Sequence, residues 1–365
     1  MGCKSIRSTS VTKTWESQDG YSKVIAVTNP TGKSISFKFW INGKTFYPTL
    51  TSIVEDINKY EDKNTVLKVW RFTCKNSYHF PPITEKQWLH NPVLYFNSAG
   101  FGYCDDVATF SMIFWRYLGF DARLWNLGNA RHIVSEVFYN GNWEMYDSDT
   151  GVFFKDSTNT FSVDALTARH SIICSETLRY VEQEKIAERS INNDYWINLS
   201  NIFSDGKSHF VETAPLFDSS LLNRNYDYLI NLPPGGEIRI GDKLLPEFYT
   251  APVEGKRWLV PQYFNLQYSI PVVDTMAIDM PLIIQNISGI GKVEISGKSF
   301  DLQDPELQEF IDQRSAFIEK IKLTNSKSVK ITYLVSPLLF PWGSSNKINL
   351  RGSNVDKLRL EILGK

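Results

Sequence analysis

Of the four cysteines in the chain (Cys3, Cys74, Cys104 and Cys174), one stands where a thiol can do chemistry. A nucleophilic thiol needs a place that stabilises the thiolate, a base to take its proton and a third group to hold that base. The run Asn97-Ser98-Ala99-Gly100-Phe101-Gly102-Tyr103-Cys104 ends a glycine-containing loop on what reads as the first turn of a helix. There the helix dipole favours an anion, and the Cys104 N–H is placed to help bind an oxyanion. His132 opens an alternating strand further along, and Asp147 closes the strand after it. Nucleophile, base and orienting carboxylate are the parts of an acyl-transfer site. Asp105 and Asp106 complement the helix N-terminus but, as anions, oppose the thiolate, so an imidazolium partner has to outweigh them. The other three cysteines read as packing or incidental.

The elements that must position these groups follow from local patterns. Val107, Phe110, Ser111, Phe114 and Leu118 recur at helical spacing, giving a core helix over Cys104–Leu118 that Gly119 stops. Three strands follow, Ala122–Trp125, His132–Tyr139 and Trp143–Tyr146, the last two joined by Asn140-Gly141, the dipeptide of a two-residue type I′ turn. Pairing about that turn sets Asp149 opposite His132 and leaves Asp147 as its same-face diagonal neighbour, so both carboxylates stay open as the histidine's partner. Upstream, Ser52 with Glu55 suits a capping box, and a second helix near 64–76 carries Leu67, Trp70, Arg71 and Cys74 before Pro81-Pro82.

The sequences GFGYCDDVATFSMIFWRYLGFDARLW and NARHIVSEVFYNGNWEMYDSDTG, with the lead-in His90-Asn91-Pro92-Val93-Leu94-Tyr95-Phe96-Asn97, resemble the bacterial transglutaminase-like branch of the papain-like fold. The resemblance spans about residues 66–154. It implies Cys104 as nucleophile, His132 as base and then acid, and Asp147 as the group that orients the imidazole. It also implies a thioester intermediate, resolved either by an amine, which makes an amide, or by water. Some relatives serve surface-polysaccharide assembly, joining an amino acid to a uronic acid. Trp88, Tyr95, Asn97 and Tyr103 are the expected substrate-binding residues, and Arg123 is expected to anchor its strand by a salt bridge.

The expected fold is α+β, in three parts. A β segment over 1–50, read as a short meander, precedes the papain-like core at 51–215, with further helices at Val163–Arg169 and Ser175–Ile191. A β-sandwich domain at 216–365 follows, with short strands at Glu237–Ile240, Lys292–Ile295, Ala316–Leu323, Val329–Leu334 and Lys347–Leu350 and one helix capped by Asp304. Lys plus Arg (39) nearly balances Asp plus Glu (40), which argues against a nucleic-acid partner. The start MGCKSIRSTS lacks a secretory apolar run and has Ile6 where myristoylation wants Ser or Thr, no stretch is long enough to span a membrane, and few cysteines suit a reducing compartment. The cytoplasm is the expected location. No cofactor is expected, and no metal, because His79, His90, His170 and His209 lack ligand spacing with one another. The expected partners are an amide- or carboxyl-bearing substrate, glycan or protein, and an amine acceptor. The competing readings are a cysteine peptidase or peptide N-glycanase-like amidase, and a binding or assembly protein that keeps the triad as scaffold.

Overall fold

The computed structural model describes residues 24–41, 45–79, 90–128, 132–188, 191–211, 224–242, 264–314, 317–336 and 358–362, and the architecture is a mixture of helix and sheet. The chain begins with β1 (Val24–Thr28) and β2 (Ile35–Ile41), then α1 (Leu50–Asn58) and α2 (Thr65–Lys75). Next come β3 (Tyr78–His79), a single turn α3 (Pro92–Leu94), a π-helical turn Tyr95–Ala99, β4 (Phe101–Gly102) and α4 (Cys104–Tyr117). β5 (Ala122–Asn126), β6 (Ile133–Tyr139), β7 (Asn142–Tyr146) and β8 (Val152–Phe154) follow. α5 (Val163–Ala168), a 3-10 turn His170–Cys174, β9 (Arg179–Val181), α6 (Gln183–Glu188), α7 (Asn193–Ser204) and β10 (His209–Phe210) complete the first half. The second half holds β11 (Ile230–Leu232), β12 (Glu237–Asp242), β13 (Phe264–Ile295), β14 (Lys298–Asp301), α8 (Pro305–Arg314), β15 (Phe317–Val335) and β16 (Leu358–Ile362).

The half that carries Cys104, His132 and Asp147 is a helix laid on a sheet. β5, β6 and β7 pair antiparallel in sequence order, with β10 on the far edge of β5. Asn140 (φ 50°) and Gly141 (φ 84°) both take the left-handed conformation a type I′ turn requires, and the resulting register pairs Tyr139 with Asn142 and Ser135 with Tyr146. α4 lies against β5 and β6 and buries nearly all of its length, which its Val107, Phe110, Phe114 and Trp115 fill with apolar volume. α2 closes the other side of α4, stacking Phe72 edge-on against Phe96 and Phe114 while Trp115 Nε1 donates to the Val66 carbonyl at 3.3 Å. Gly119 (φ 89°) ends α4 where expected.

Several elements depart from the sequence expectation. α1 starts three residues earlier, on Thr49: its side chain accepts from the Ser52 N–H, and Ser52 Oγ returns the bond to the Thr49 carbonyl. The expected helix at Ser175–Ile191 is instead β9 and the short α6, because residues 179–181 are drawn into pairing with β8. α7 was not foreseen, although Asn192 caps it at the Tyr195 N–H and Trp196, Leu199 and Phe203 form its buried stripe. The N-terminal strands form no meander of their own. β1 joins β12 and β2 joins β11 and β16, because Asn29 sends its side-chain amide to the Lys33 and Leu232 carbonyls and its N–H to Gly236, parting the two strands into different sheets.

In place of the expected short strands, the described C-terminal region has two long strands, β13 and β15, in a sheet of order β1-β12-β13-β14 with β15 paired to β13. Gly289, Gly291, Asn325 and Ser328 take positive φ inside these strands, at or beside the bends and register shifts. Ile283 pairs with both Phe317 and Leu334, so β15 curls until its ends flank one residue of β13. β11, from the sheet β11-β2-β16, lies against β13. The expected strand Lys347–Leu350 lies outside the described residues.

Candidate functional site

Cys104 is the first residue of α4, and the loop before it is shaped by a short chain of backbone constraints. The π turn Tyr95–Ala99 ends on Gly100, β4 then pairs in parallel with β3, and Tyr103 takes an extended backbone that starts the helix. Asp106 folds back to accept the Tyr103 N–H at 3.0 Å, which satisfies one of the donors at the helix start. Gly102 is required for that fold-back: a Cβ there would stand 2.3 Å from Asp106 Oδ2. The cap therefore fixes where Cys104 sits.

Cys104 is buried, and its Sγ accepts the Ile133 N–H at 3.4 Å, so the thiol meets the first residue of β6. His132, immediately before that strand, brings Nε2 to 2.7 Å from Asp147 Oδ2. Burial by itself would push the His132 pKa down. The Asp147 charge and hydrogen bond, joined by the interaction with Cys104, overcome it and hold the imidazole well above 6.5. With Nε2 committed to the carboxylate, Nδ1 is the ring nitrogen left to face the thiol. Cysteine, histidine and aspartate thus come from a helix start, the lead-in to one strand and the end of the next.

The choice between Asp147 and Asp149 is made by a turn. Asp147 Oδ1 accepts the N–H groups of Asp149 (3.1 Å) and Thr150 (3.0 Å), while its backbone pairs with Val152 in both directions at 2.9 Å. This turn stops the hairpin ladder before Asp149 can reach the position opposite His132. Trp70 Nε1 adds a bond to the Asp147 carbonyl at 3.3 Å. Asp149, equally buried, goes instead to His79 Nδ1 at 2.9 Å, making a second histidine–aspartate pair beside Tyr103, whose ring centroid is 5.7 Å from that of His79. No local spacing in the sequence links His79 to Asp149, 70 residues on.

The residues expected to bind substrate divide. Tyr103 is exposed and adjoins Cys104, as a substrate contact must. Tyr95 and Asn97 are wholly buried and belong to the core. Asn97 exchanges two 2.8 Å bonds with the Tyr47 backbone and donates to the Tyr228 hydroxyl at 2.6 Å, so its amide is spent on tying three chain segments together. Tyr95 packs its ring on Phe96 and Phe110. Trp88 lies outside the described residues. Arg123 anchors its strand: Nε donates to Glu136 Oε2 at 2.7 Å and the guanidinium lies 3.9 Å from the centre of the Trp143 ring. A cavity of about 1040 Å³ lined by Lys38, Phe46, Tyr47, Arg71 and Tyr228 touches none of Cys104, His132 and Asp147.

Among the described residues no helix is long and apolar enough to cross a membrane. Comparison with protein-family models, with curated proteins and with solved structures finds no match for this chain.

Proposed function

We propose that this protein is a thiol acyl-transfer enzyme of transglutaminase-like type, built on a papain-like core. The observation that supports it is the convergence of Cys104 Sγ, the His132 ring and the Asp147 carboxylate, in contact order, at the start of a buried helix. Cys104 gives its proton to His132, and its sulfur attacks the carbonyl carbon of an amide or activated carboxyl group. The Cys104 N–H at the helix start is the candidate donor to the oxyanion. Collapse of the adduct breaks the bond to the leaving group, which takes the proton from His132 and departs, leaving a thioester. An amine then attacks, its proton passes to His132, and expulsion of the sulfur restores the thiol and releases an amide. The acyl donor is a glycan- or protein-borne amide or carboxyl derivative, and the acceptor is an amine.

Intact-protein mass spectrometry tests this. After exposure to candidate acyl donors, the wild-type chain gains a thiol-bound acyl mass and Cys104→Ala does not. Adding an amine discharges the adduct as an amide; discharge by water alone would make the protein an amidase or peptidase. If neither acyl donors nor iodoacetamide mark Cys104 ahead of the exposed Cys174, the acyl-transfer reading is wrong and the triad is scaffold.

A further inference from the structure

We propose that His90, Asp105 and Asp106 form a binding site for a divalent transition-metal cation at the start of α4. One nitrogen or oxygen from each of the three lies within 4.8 Å of the others. His90 Nε2 stands 3.4 Å from Asp106 Oδ1 and 3.7 Å from Asp105 Oδ2. These separations are too long for good hydrogen bonds. They are close to the roughly 3.3 Å between neighbouring ligand atoms around a tetrahedral ion with bonds of about 2.0–2.1 Å. The His90 side chain is only 10% exposed and its Nδ1 has no hydrogen-bond partner, while Nε2 has only the two long carboxylate contacts, a costly state for a buried imidazole. Asp106 spends Oδ2 on the Tyr103 N–H, which leaves Oδ1 to the cluster. Asp105 keeps 41% of its side chain exposed, so the cluster meets solvent on that side.

The ligand set chooses the ion. One imidazole and two carboxylates suit Zn²⁺, Mn²⁺, Fe²⁺ or Co²⁺, whereas Ca²⁺ wants six to eight oxygens. The helix start opposes a cation with about half a unit of positive charge. Two carboxylates outweigh it.

The full-length protein, stripped of metal, is titrated with Co²⁺ and Zn²⁺ by calorimetry, with the Co²⁺ visible spectrum reporting the ligand environment. The Cys104→Ala variant separates this site from metal captured by the thiol and His132. Expected are one equivalent bound in both wild type and Cys104→Ala, a raised melting temperature, and no comparable effect of Ca²⁺. Asp105→Asn, at a partly exposed position that leaves the fold intact, and His90→Gln should each weaken binding by more than the roughly 10–100-fold typical of changing a group one shell out. Absence of stoichiometric binding to the wild type overturns the proposal, as does binding that survives both substitutions or disappears with Cys104. The acyl-mass experiment is independent of this outcome, so either reading can fail alone.

Discussion

Replacing Asp147 by Asn isolates the contribution of one oxygen to the site. Asn keeps Oδ1, and with it the bonds from the Asp149 and Thr150 N–H groups that hold the turn. What changes is the atom 2.7 Å from His132 Nε2, which becomes an amide donor where a carboxylate oxygen accepted. The imidazole must then present a lone pair at Nε2 and carry its proton on Nδ1, facing the sulfur, so it can no longer accept the thiol proton. The loss of one charge-assisted hydrogen bond costs about 1.5–3 kcal/mol of stability. The loss of a correctly oriented base costs more: about 10²–10⁴ in rate, near 3–5 kcal/mol of barrier. The assay is the second-order rate of Cys104 alkylation by iodoacetamide at pH 7, resolved by peptide mass spectrometry, with Cys174 as the exposed internal reference. Asp147→Asn should slow Cys104 by that factor and leave Cys174 unchanged, while Asp149→Asn, which touches His79 instead, should leave Cys104 near the wild-type rate. If Asp147→Asn labels as fast as wild type, or if Asp149→Asn is the slow variant, the assignment of the orienting carboxylate is refuted.

The raised His132 pKa carries a pH dependence of stability. Below about 6.5 the imidazole is protonated in folded and unfolded chains alike and its pairing with Asp147 contributes fully; above that value the folded chain binds more protons, so the contribution falls until the folded-state pKa is passed. The unfolding free-energy difference between wild type and His132→Gln should therefore shrink as pH rises above 6.5 in denaturant titrations, and a difference that grows would contradict it. Glu136 is fully buried and accepts from Arg123 Nε (2.7 Å), Trp125 Nε1 (2.6 Å) and the Val163 N–H (2.6 Å), so Glu136→Ala should cost about 3–5 kcal/mol in urea unfolding by stranding a half-buried guanidinium and two buried N–H donors. Gly102→Ala should push Asp106 off the Tyr103 N–H, lowering the melting temperature by the loss of a cap worth about 1 kcal/mol and slowing Cys104 alkylation.

The parts of the site visible in the sequence were those set by local geometry. Asn140-Gly141 fixes the β6–β7 register, and the apolar stripe from Val107 to Phe114 fixes the core helix, so local patterns alone bring Cys104, His132 and an aspartate near 147 together. The choice between Asp147 and Asp149 lay in a side-chain turn one residue beyond the ladder, which no pairing count contains. Asn97 and Tyr95 looked like site residues because they precede the nucleophile. Their burial depends on Tyr47 and Tyr228, which are remote in sequence. The pairings of His79 and His90 are hidden for the same reason: their partners Asp149, Asp105 and Asp106 are reached through the fold, whereas spacing relates the histidines only to one another. The long C-terminal strands were missed because a left-handed Asn or Ser inside a curled strand has the composition of a turn.

The C-terminal sheet has a mechanical relation to the site that its sequence position hides. Ser98 Oγ donates to the Leu334 carbonyl and accepts the Ile283 N–H, both at 2.9 Å, and the Ser336 N–H donates to the Asn97 carbonyl at 3.1 Å. These are the residues of the π turn, and the turn ends on the glycine that leads into β4 and Cys104. A π turn carries one residue more than an α-helical turn would and leaves its backbone groups poorly matched within the helix. Here the Asn97 carbonyl is satisfied by β15's end, and the Ser98 hydroxyl links β15 to β13. Asn97's side chain adds Tyr47 from the N-terminal part and Tyr228 from the stretch before β11. All these polar groups are buried, and a buried donor or acceptor left without a partner costs about 1–3 kcal/mol. The loop that leads to Cys104 is therefore held in a rarely used π turn by contacts from Tyr47, Tyr228 and the C-terminal sheet, which ties the geometry of Cys104 to the folding of the β region behind it.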